Sequence, residues 1–376
     1  MRYGGIGDCL QTSSILAALR LQGWHITVNT TPKGRHVISA DPNVDAWWLQ
    51  DKDQVPSELL GSYWTRLGER FDKIVNLSES VEGGLLAMPG RIQHMWNDEA
   101  RRAILNVNYM TRMNDIAGTS GAPNRAAFYP TDDEKAYALA RRANLDAGKR
   151  AFVILWCLSG SSIHKVYPWT DRALRLLMQV PKIKIVFAGG PECEILEHGL
   201  AQIMLRAVEV SEEQSHTMSR GALMAMLDTV YGDGRIRFTS GAWDIRHTLA
   251  FAQVADMVIG PETGVLNAVA MAKVRKIVML SHSTANNLTK DWVNTTVLAA
   301  DPKRVPCYPC HRLHYTREFC PENVETGAAA CASDIDPQLV LEAILRAFKA
   351  SPAGIGWSAK IAVERPRSTP RLEATA

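Results

Sequence analysis

The stretch DMVIGPETGVLN, residues 256–267, decides how the chain is read. Its apolar run, Met257-Val258-Ile259, stops at Gly260-Pro261. A run this short, bounded by turn residues, reads as a buried strand. Thr263-Gly264 then opens a helical pattern over 264–272, with Thr263 in a capping position. An apolar strand passing through a tight turn into a helix is the unit of a parallel α/β sheet. The N–H groups and positive dipole end of such a helix start suit a pyrophosphate. Glu262 is an awkward neighbour for an anion and suits ribose or sugar hydroxyls instead. A capped helix packed on the sheet explains the same residues without a ligand, and both readings stand at this point.

Outward from this unit the alternation repeats. Strands are expected at 151–158, 182–188, 235–239 and 276–280, and helices at 169–179, 191–206, 219–231, 244–254 and 337–350. Thr131 with Glu134 three residues later forms a capping box that opens a helix to about 146. The first half reads likewise: a very short strand at the N-terminus, a helix over 8–22, strands at 24–29, 44–49 and 73–77, and helices near 57–70 and 99–117. Residues 78–98 look like a long functional loop. Residues 118–131, rich in Gly, Pro and Ser, are the linker candidate. The plan is therefore α/β with two Rossmann-like domains, 1–130 and 131–350, facing a central cleft at the carboxyl ends of their strands. A cysteine-rich insert lies at 305–333, and 351–376 reads as a disordered tail.

Composition supports a globular protein. The 376 residues suffice for two domains, and 46% hydrophobic against 22% charged residues allows a core in each. The net charge of +3, from 42 basic and 39 acidic residues, gives no support to a polyanion-coating role. No apolar run reaches the roughly 18 residues of a membrane span. Met1-Arg2-Tyr3-Gly4-Gly5 leads to Asp8 without an apolar signal region. A cytoplasmic protein is expected, and peripheral contact at the inner membrane is compatible with that.

Three further motifs carry chemistry. Gly4-Gly5-Ile6-Gly7-Asp8 joins the first short strand to a helix. Gly5 and Gly7 permit close approach of the backbone to a ligand, and Asp8 is either a helix cap or a catalytic carboxylate facing the cleft. Ser159-Gly160-Ser161-Ser162 follows a strand and precedes Lys165. Its hydroxyls, backbone N–H groups and lysine suit a phosphate, and a polar turn with a solvated lysine is the alternative. Among the seven cysteines, Cys9, Cys157 and Cys193 read as buried thiols. The others form Cys307-x2-Cys310-x9-Cys320-x10-Cys331, a set able to close a tetrahedral iron or zinc site of structural character. His311 or His314 could replace one ligand, and free thiols or disulfides are the alternative.

The ordered motifs resemble glycosyltransferase family nine, the ADP-heptose:lipopolysaccharide heptosyltransferases and their relatives. The matching segments are GGIGDCLQTSSILAALR at 4–20, SGSSIHKVYPW at 159–169, FAGGPE at 187–192 (with Gly189) and DMVIGPETGVLNAVAMA at 256–272. The resemblance implies a GT-B fold, with 1–130 on the acceptor side and 131–350 binding the nucleotide sugar. It implies Asp8 as general base, Lys165 on the donor phosphates or sugar, and Ser159, Ser161 and Ser162 near the phosphate. It places Gly189, Glu262, Thr263, Gly264 and Asn267 on the donor. The family's third motif usually reads Asp-Thr-Gly followed by a histidine, whereas here Glu262 and Asn267 stand at those positions. The cysteine segment is similar to that of the bacterial autotransporter heptosyltransferases, which carry a four-cysteine iron finger, though its spacing differs.

The implied reaction is inverting transfer of heptose or a related sugar from a nucleotide diphosphate, ADP by resemblance, to an acceptor hydroxyl. That hydroxyl belongs to a glycan, a protein or a modified base. No Asp-x-Asp motif is present, and no catalytic metal is expected. A homo-oligomer is compatible with the insert. The competing readings are an inactive nucleotide-sugar-binding scaffold and a GT-B epimerase acting on nucleotide sugars. A nicotinamide dehydrogenase is disfavoured, because GGIGD is not a full G-x-G-x-x-G.

Overall fold

The computed structural model of the chain describes residues 1–50, 56–78, 90–146, 148, 150–206, 218–314, 316 and 318–357. In the first half, β1 (Thr27–Thr30) and β2 (Ala46–Leu49) pair in parallel, Thr27 opposite Ala46. Residues 1–3 run beside β1, with the Arg2 N–H donating to the Asn29 carbonyl at 3.0 Å. On their other side the Leu77 N–H donates to the Met1 carbonyl at 2.9 Å. The strands expected at the N-terminus and at 73–77 are thus extended segments with few bonds. Gly4, at φ 102°, turns the chain out of the sheet before a ladder can build.

Helix α1 (Ile6–Leu21) follows that turn and buries Leu10, Ile15, Leu16 and Leu19, as their spacing predicts. It also buries Gln11, Thr12, Ser13 and Ser14, because it is wedged between the two halves of the molecule. Polar groups in such a place need partners. Ser13 Oγ accepts the Ala127 N–H at 2.7 Å and Ser14 Oγ the Arg125 N–H at 3.1 Å. The segment 118–131 is therefore threaded back onto α1, with Ala126 and Phe128 buried, and is no loose tether.

Pro32–Ile38 forms a helix, α2, that the sequence reading passed over. α3 is Leu60–Gly68 and α4 is the single turn Ile92–Met95. The helix expected over 99–117 is two, α5 (Asp98–Leu105) and α6 (Tyr109–Ala117), because Asn108 caps the second through the Thr111 N–H at 3.1 Å. The capping box of Thr131 and Glu134 opens α7 (Asp132–Leu145), as expected.

The second half holds a six-stranded parallel sheet of β3 (Phe152–Cys157), β4 (Ile183–Ala188), β5 (Ile236–Phe238), β6 (Met257–Pro261), β7 (Arg275–Met279) and β8 (Thr295–Leu298), in the order β5-β4-β3-β6-β7-β8. Counted from β3, this is the 3-2-1-4-5-6 order of the doubly wound nucleotide folds, whose ligand crevice lies where the order reverses. Here that is between β3 and β6. β8 was missed because its sequence, TTVL, is a partly exposed edge strand without a strong apolar run. Its faces are covered by helices, among them α8 (Thr170–Leu177), α9 (Glu194–Arg206), α10 (Arg220–Tyr231) and α11 (Ile245–Val254).

One apolar cluster runs from α1 through Val153, Leu155 and Val258 to Cys331, crossing both halves. A second fills the opposite face of the large sheet. Arg246 crosses the boundary: buried, it pairs with Glu134 at 2.5 Å and donates to the Val37 and Tyr129 carbonyls. After the closing helix Pro337–Lys349, residues 351–357 pack back, with Ser351 buried and Trp357 edge-on to Phe348. The expected tail therefore begins too early in the sequence reading, and 358–376 lies outside the described residues. Among the described residues, no helix is long and apolar enough to cross a membrane.

Candidate functional site

Helix α1 begins where the main sheet reverses. The loop after β3, the turn after β6 and the start of α1 meet around one cavity of about 590 Å³. Gly5, Gly7, Asp8, Ser159, Ser161, Lys165, Gly189, Glu262, Thr263, Gly264 and Asn267 all line it, so residues far apart in sequence converge. Ser162 does not. Its hydroxyl donates to the His314 carbonyl and lies 2.8 Å from His164 Nδ1, which turns it into the protein interior, away from the phosphate position expected of it.

The walls touch through glycine. A methyl group on Gly264 would lie 2.3 Å from Ile6 Cγ2, and one on Gly7 would lie 2.8 Å from Asn267 Nδ2. Asn267 clasps this contact: its Oδ1 accepts from Gln11 Nε2 at 3.0 Å, and its Nδ2 donates to the Thr263 carbonyl at 2.9 Å. The helix after Thr263, α12, spans only Gly264–Ala268, not the expected 264–272. It stops at Val269, whose backbone leaves the helical region. With so few aligned peptides its macrodipole is small, so the charge available to an anion comes chiefly from Lys165 and hydroxyl and N–H donors.

Asp8 caps the start of α1 and also lines the cavity. Its Oδ2 accepts the Gly5 N–H at 2.8 Å, the carboxylate half of a capping box. Its Oδ1 meets the buried Arg2 guanidinium at 2.9 Å, and the carboxylate remains partly open to the cavity. Arg2 carries no sequence signal of this role; only the placement of residues 1–3 beside α1 reveals it. Gln11, Lys33, Glu192, Trp243, Asp244 and His282 also line the cavity and were not singled out in the sequence.

Lys165 and Glu262 are both buried. Lys165 Nζ donates to the Glu262 carbonyl at 3.1 Å and lies 3.8 Å from its Oε2. The carboxylate accepts from Ser281 Oγ at 2.9 Å, Ser283 Oγ at 2.5 Å and His282 Nδ1 at 2.7 Å. Burial alone would raise the Glu262 pKa. The charges of His282 and Lys165 and the bonds from His282 and Ser283 outweigh it and hold the carboxyl well below its ordinary range. Glu262 thus braces the cavity floor with its side chain saturated, and does not reach freely for a sugar hydroxyl.

Cys307, Cys310, Cys320 and Cys331 line a second cavity, of about 190 Å³, with His314 and His164. Among the described residues the four sulfurs do not close into one ligand sphere; the set that does is His164, Glu262 and His282. The expected cluster is thus gathered but not formed. Burial, with the neighbouring thiols, pushes Cys310 up to about 12 and Cys331 higher still. Four soft donors facing one space do fit iron or zinc.

No protein-family model matches the sequence, and no curated protein is similar to it in sequence. Solved structures do match. The Escherichia coli ADP-heptose lipopolysaccharide heptosyltransferase II superposes with a TM-score of 0.56 at 13% identity, covering 93% of this chain and 99% of that one. A glycosyltransferase of family 9 from Veillonella parvula gives 0.59 at 12% identity, covering 93% and 96%. TibC, an iron-containing dodecameric glycosyltransferase of enterotoxigenic Escherichia coli, gives 0.51 at 12%, covering 93% and 75%. The likeness is one of fold and runs through nearly the whole chain: this protein has the GT-B architecture.

Proposed function

We propose that the chain is a glycosyltransferase that moves a sugar from a nucleotide diphosphate to an acceptor hydroxyl, with inversion. The observation that carries this reading is the convergence of residues 5–8, 159–165 and 262–267 on one cavity at the reversal point of a Rossmann-order sheet. The larger, C-terminal domain holds the donor and the N-terminal domain the acceptor. The acceptor loop expected near 78–98 falls largely on 79–89, outside the described residues.

In the reaction the acceptor oxygen attacks the anomeric carbon while Asp8 takes its proton. The bond from that carbon to the diphosphate oxygen breaks on the opposite face. Lys165, Ser159, Ser161 and the N–H groups at Thr263 and Gly264 receive the charge that develops on the leaving group. Arg2 and Gly5 hold Asp8 in one orientation, which limits the rotamers it must lose before reacting. ADP as the nucleotide and heptose or a related sugar as the cargo follow from the motif resemblance, supported by the fold. The four cysteines would hold a structural iron or zinc ion that ties residues 307–331 together, and a homo-oligomer fits the same region.

The test is transfer from candidate nucleotide sugars by the intact chain. Asp8→Asn should bind donor as the parent does and lose turnover by about 10²-fold or more. Parent-level turnover in a folded Asp8→Asn chain would remove Asp8 as the base.

A further inference from the structure

Directly behind Lys165 lies a group of side chains that donor chemistry does not use. His164, Glu262 and His282 are all buried, and one ligand atom from each lies within 4.8 Å of the others. His164 Nε2 is 3.1 Å from His282 Nδ1, which is 2.7 Å from Glu262 Oε2. We propose that these three residues bind a divalent transition-metal ion of the zinc class, separate from any ion held by the cysteines.

Proton accounting supports this. Ser162 has one hydroxyl proton and gives it to the His314 carbonyl. Toward His164 Nδ1, at 2.8 Å, it must therefore accept. That places the His164 proton on Nδ1 and turns the Nε2 lone pair toward His282. The lone pairs of His164 Nε2 and Glu262 Oε2 then point at His282 Nδ1, which carries at most one proton. A proton there serves two acceptors unequally, whereas a cation would satisfy all three atoms.

The surroundings are those of a metal site. Ligating histidines donate their other ring N–H to a fixing partner, and ligating carboxylates are themselves hydrogen-bonded. Ser162 does the first for His164, and Ser281 and Ser283 do the second for Glu262. Two imidazoles and a carboxylate suit zinc, with bonds of about 2.0–2.2 Å and ligand atoms therefore roughly 3.3 Å apart. The present 3.1 and 2.7 Å are a slightly contracted version that small ring rotations would open. His311 is fully buried beside this group, at φ 48°, with its N–H on the His282 carbonyl. Neither of its ring nitrogens has a hydrogen-bond partner among the described residues.

The ion would join the loop after β3, the end of β6 and residues 281–283, three segments under the Lys165 side of the cleft. Its role is positioning, since Glu262 and His282 line the cleft while His164 faces the cysteine cavity.

The test uses the full chain, stripped with a chelator and titrated with zinc. In a Cys310→Ser/Cys331→Ser chain, where the thiolate site is gone, about one zinc per chain should still bind. Adding His164→Gln should weaken that binding by more than the roughly 10–100-fold expected from losing a supporting partner, and Ser162→Ala should fall within that range. A folded double-serine chain that binds no zinc, or one unaffected by His164→Gln, overturns the proposal. If the double variant does not fold, zinc X-ray absorption of the parent decides: nitrogen or oxygen neighbours near about 2.0 Å support it, and a sulfur-only shell refutes it.

Discussion

Replacing Glu262 by glutamine removes one charge and adds two N–H donors at the best-satisfied carboxylate of the cleft. Its Oε1 accepts from the Ser281 N–H at 3.1 Å, the Ser283 N–H at 3.3 Å and Ser283 Oγ at 2.5 Å. Two of those donors are backbone and cannot turn away. The new amide nitrogen must therefore take the Oε2 end, where it faces Ser281 Oγ, His282 Nδ1 and Lys165. The serine hydroxyl can rotate to accept from it. The contacts with His282 at 2.7 Å and Lys165 at 3.8 Å cannot be recovered in the same way. Breaking a buried ion pair costs about 3–5 kcal/mol, and a flip of His282 would recover a part worth about 1 kcal/mol. Glu262→Gln should thus lower the unfolding free energy of the metal-free chain by about 2–4 kcal/mol. Urea denaturation near pH 7.5 measures it as a lower midpoint at unchanged slope. A loss below about 0.5 kcal/mol, the scale of surface substitutions, would refute the argument that this carboxylate braces the cleft.

Other perturbations test other parts of the molecule. Gly264→Ala puts a methyl group 2.3 Å from Ile6 Cγ2 and should cost about 1–3 kcal/mol by overpacking. Gly199→Ala, with nothing within 4 Å of the new atom, should not destabilise the chain, and thermal melts of the two separate close packing from helix propensity. Arg246→Met removes a buried guanidinium that pairs with half-buried Glu134 and donates to the Val37 and Tyr129 carbonyls, and should cost about 1.5–3 kcal/mol in denaturant unfolding. A parent-like midpoint would show that the two halves are not joined through this residue. Lys276 is buried, donates to the Ala272 and Val274 carbonyls, and has its pKa lowered by desolvation to about 8. Between pH 8 and about 10.5 the unfolded chain binds this proton more tightly than the folded one, so the lysine's contribution to stability rises with pH. Melts of the parent and Lys276→Met across that range should diverge in the parent's favour as pH rises, and parallel curves would contradict the desolvated amine.

Much of the plan was legible because strands buried on two faces are continuous apolar runs, as in FVILWC and IVFA, and their turns are glycine and proline. The motif residues could be found because ligand loops in parallel sheets follow the strand ends. Arg2 could not be found this way, since it acts only through the fold that lays residues 1–3 beside Asp8. Ser162 was misplaced because a serine run does not say which hydroxyl faces inward. The cysteines were read from spacing, which records how many thiols enter a region and not whether their sulfurs meet. The histidine–glutamate group is invisible in sequence, since its members come from the ends of three different strands.

In the proposed function the cleft binds a nucleotide diphosphate through Lys165. Calorimetric titration of the intact chain with ADP, UDP, GDP and CDP, repeated on Lys165→Met, tests it most directly. The expected result is saturable binding of one nucleotide, ADP first among them, weakened about tenfold or more when the charge is removed, since a charged hydrogen bond is worth about 1.5–3 kcal/mol. Absence of binding by every nucleotide, or equal binding by a folded Lys165→Met chain, would contradict it.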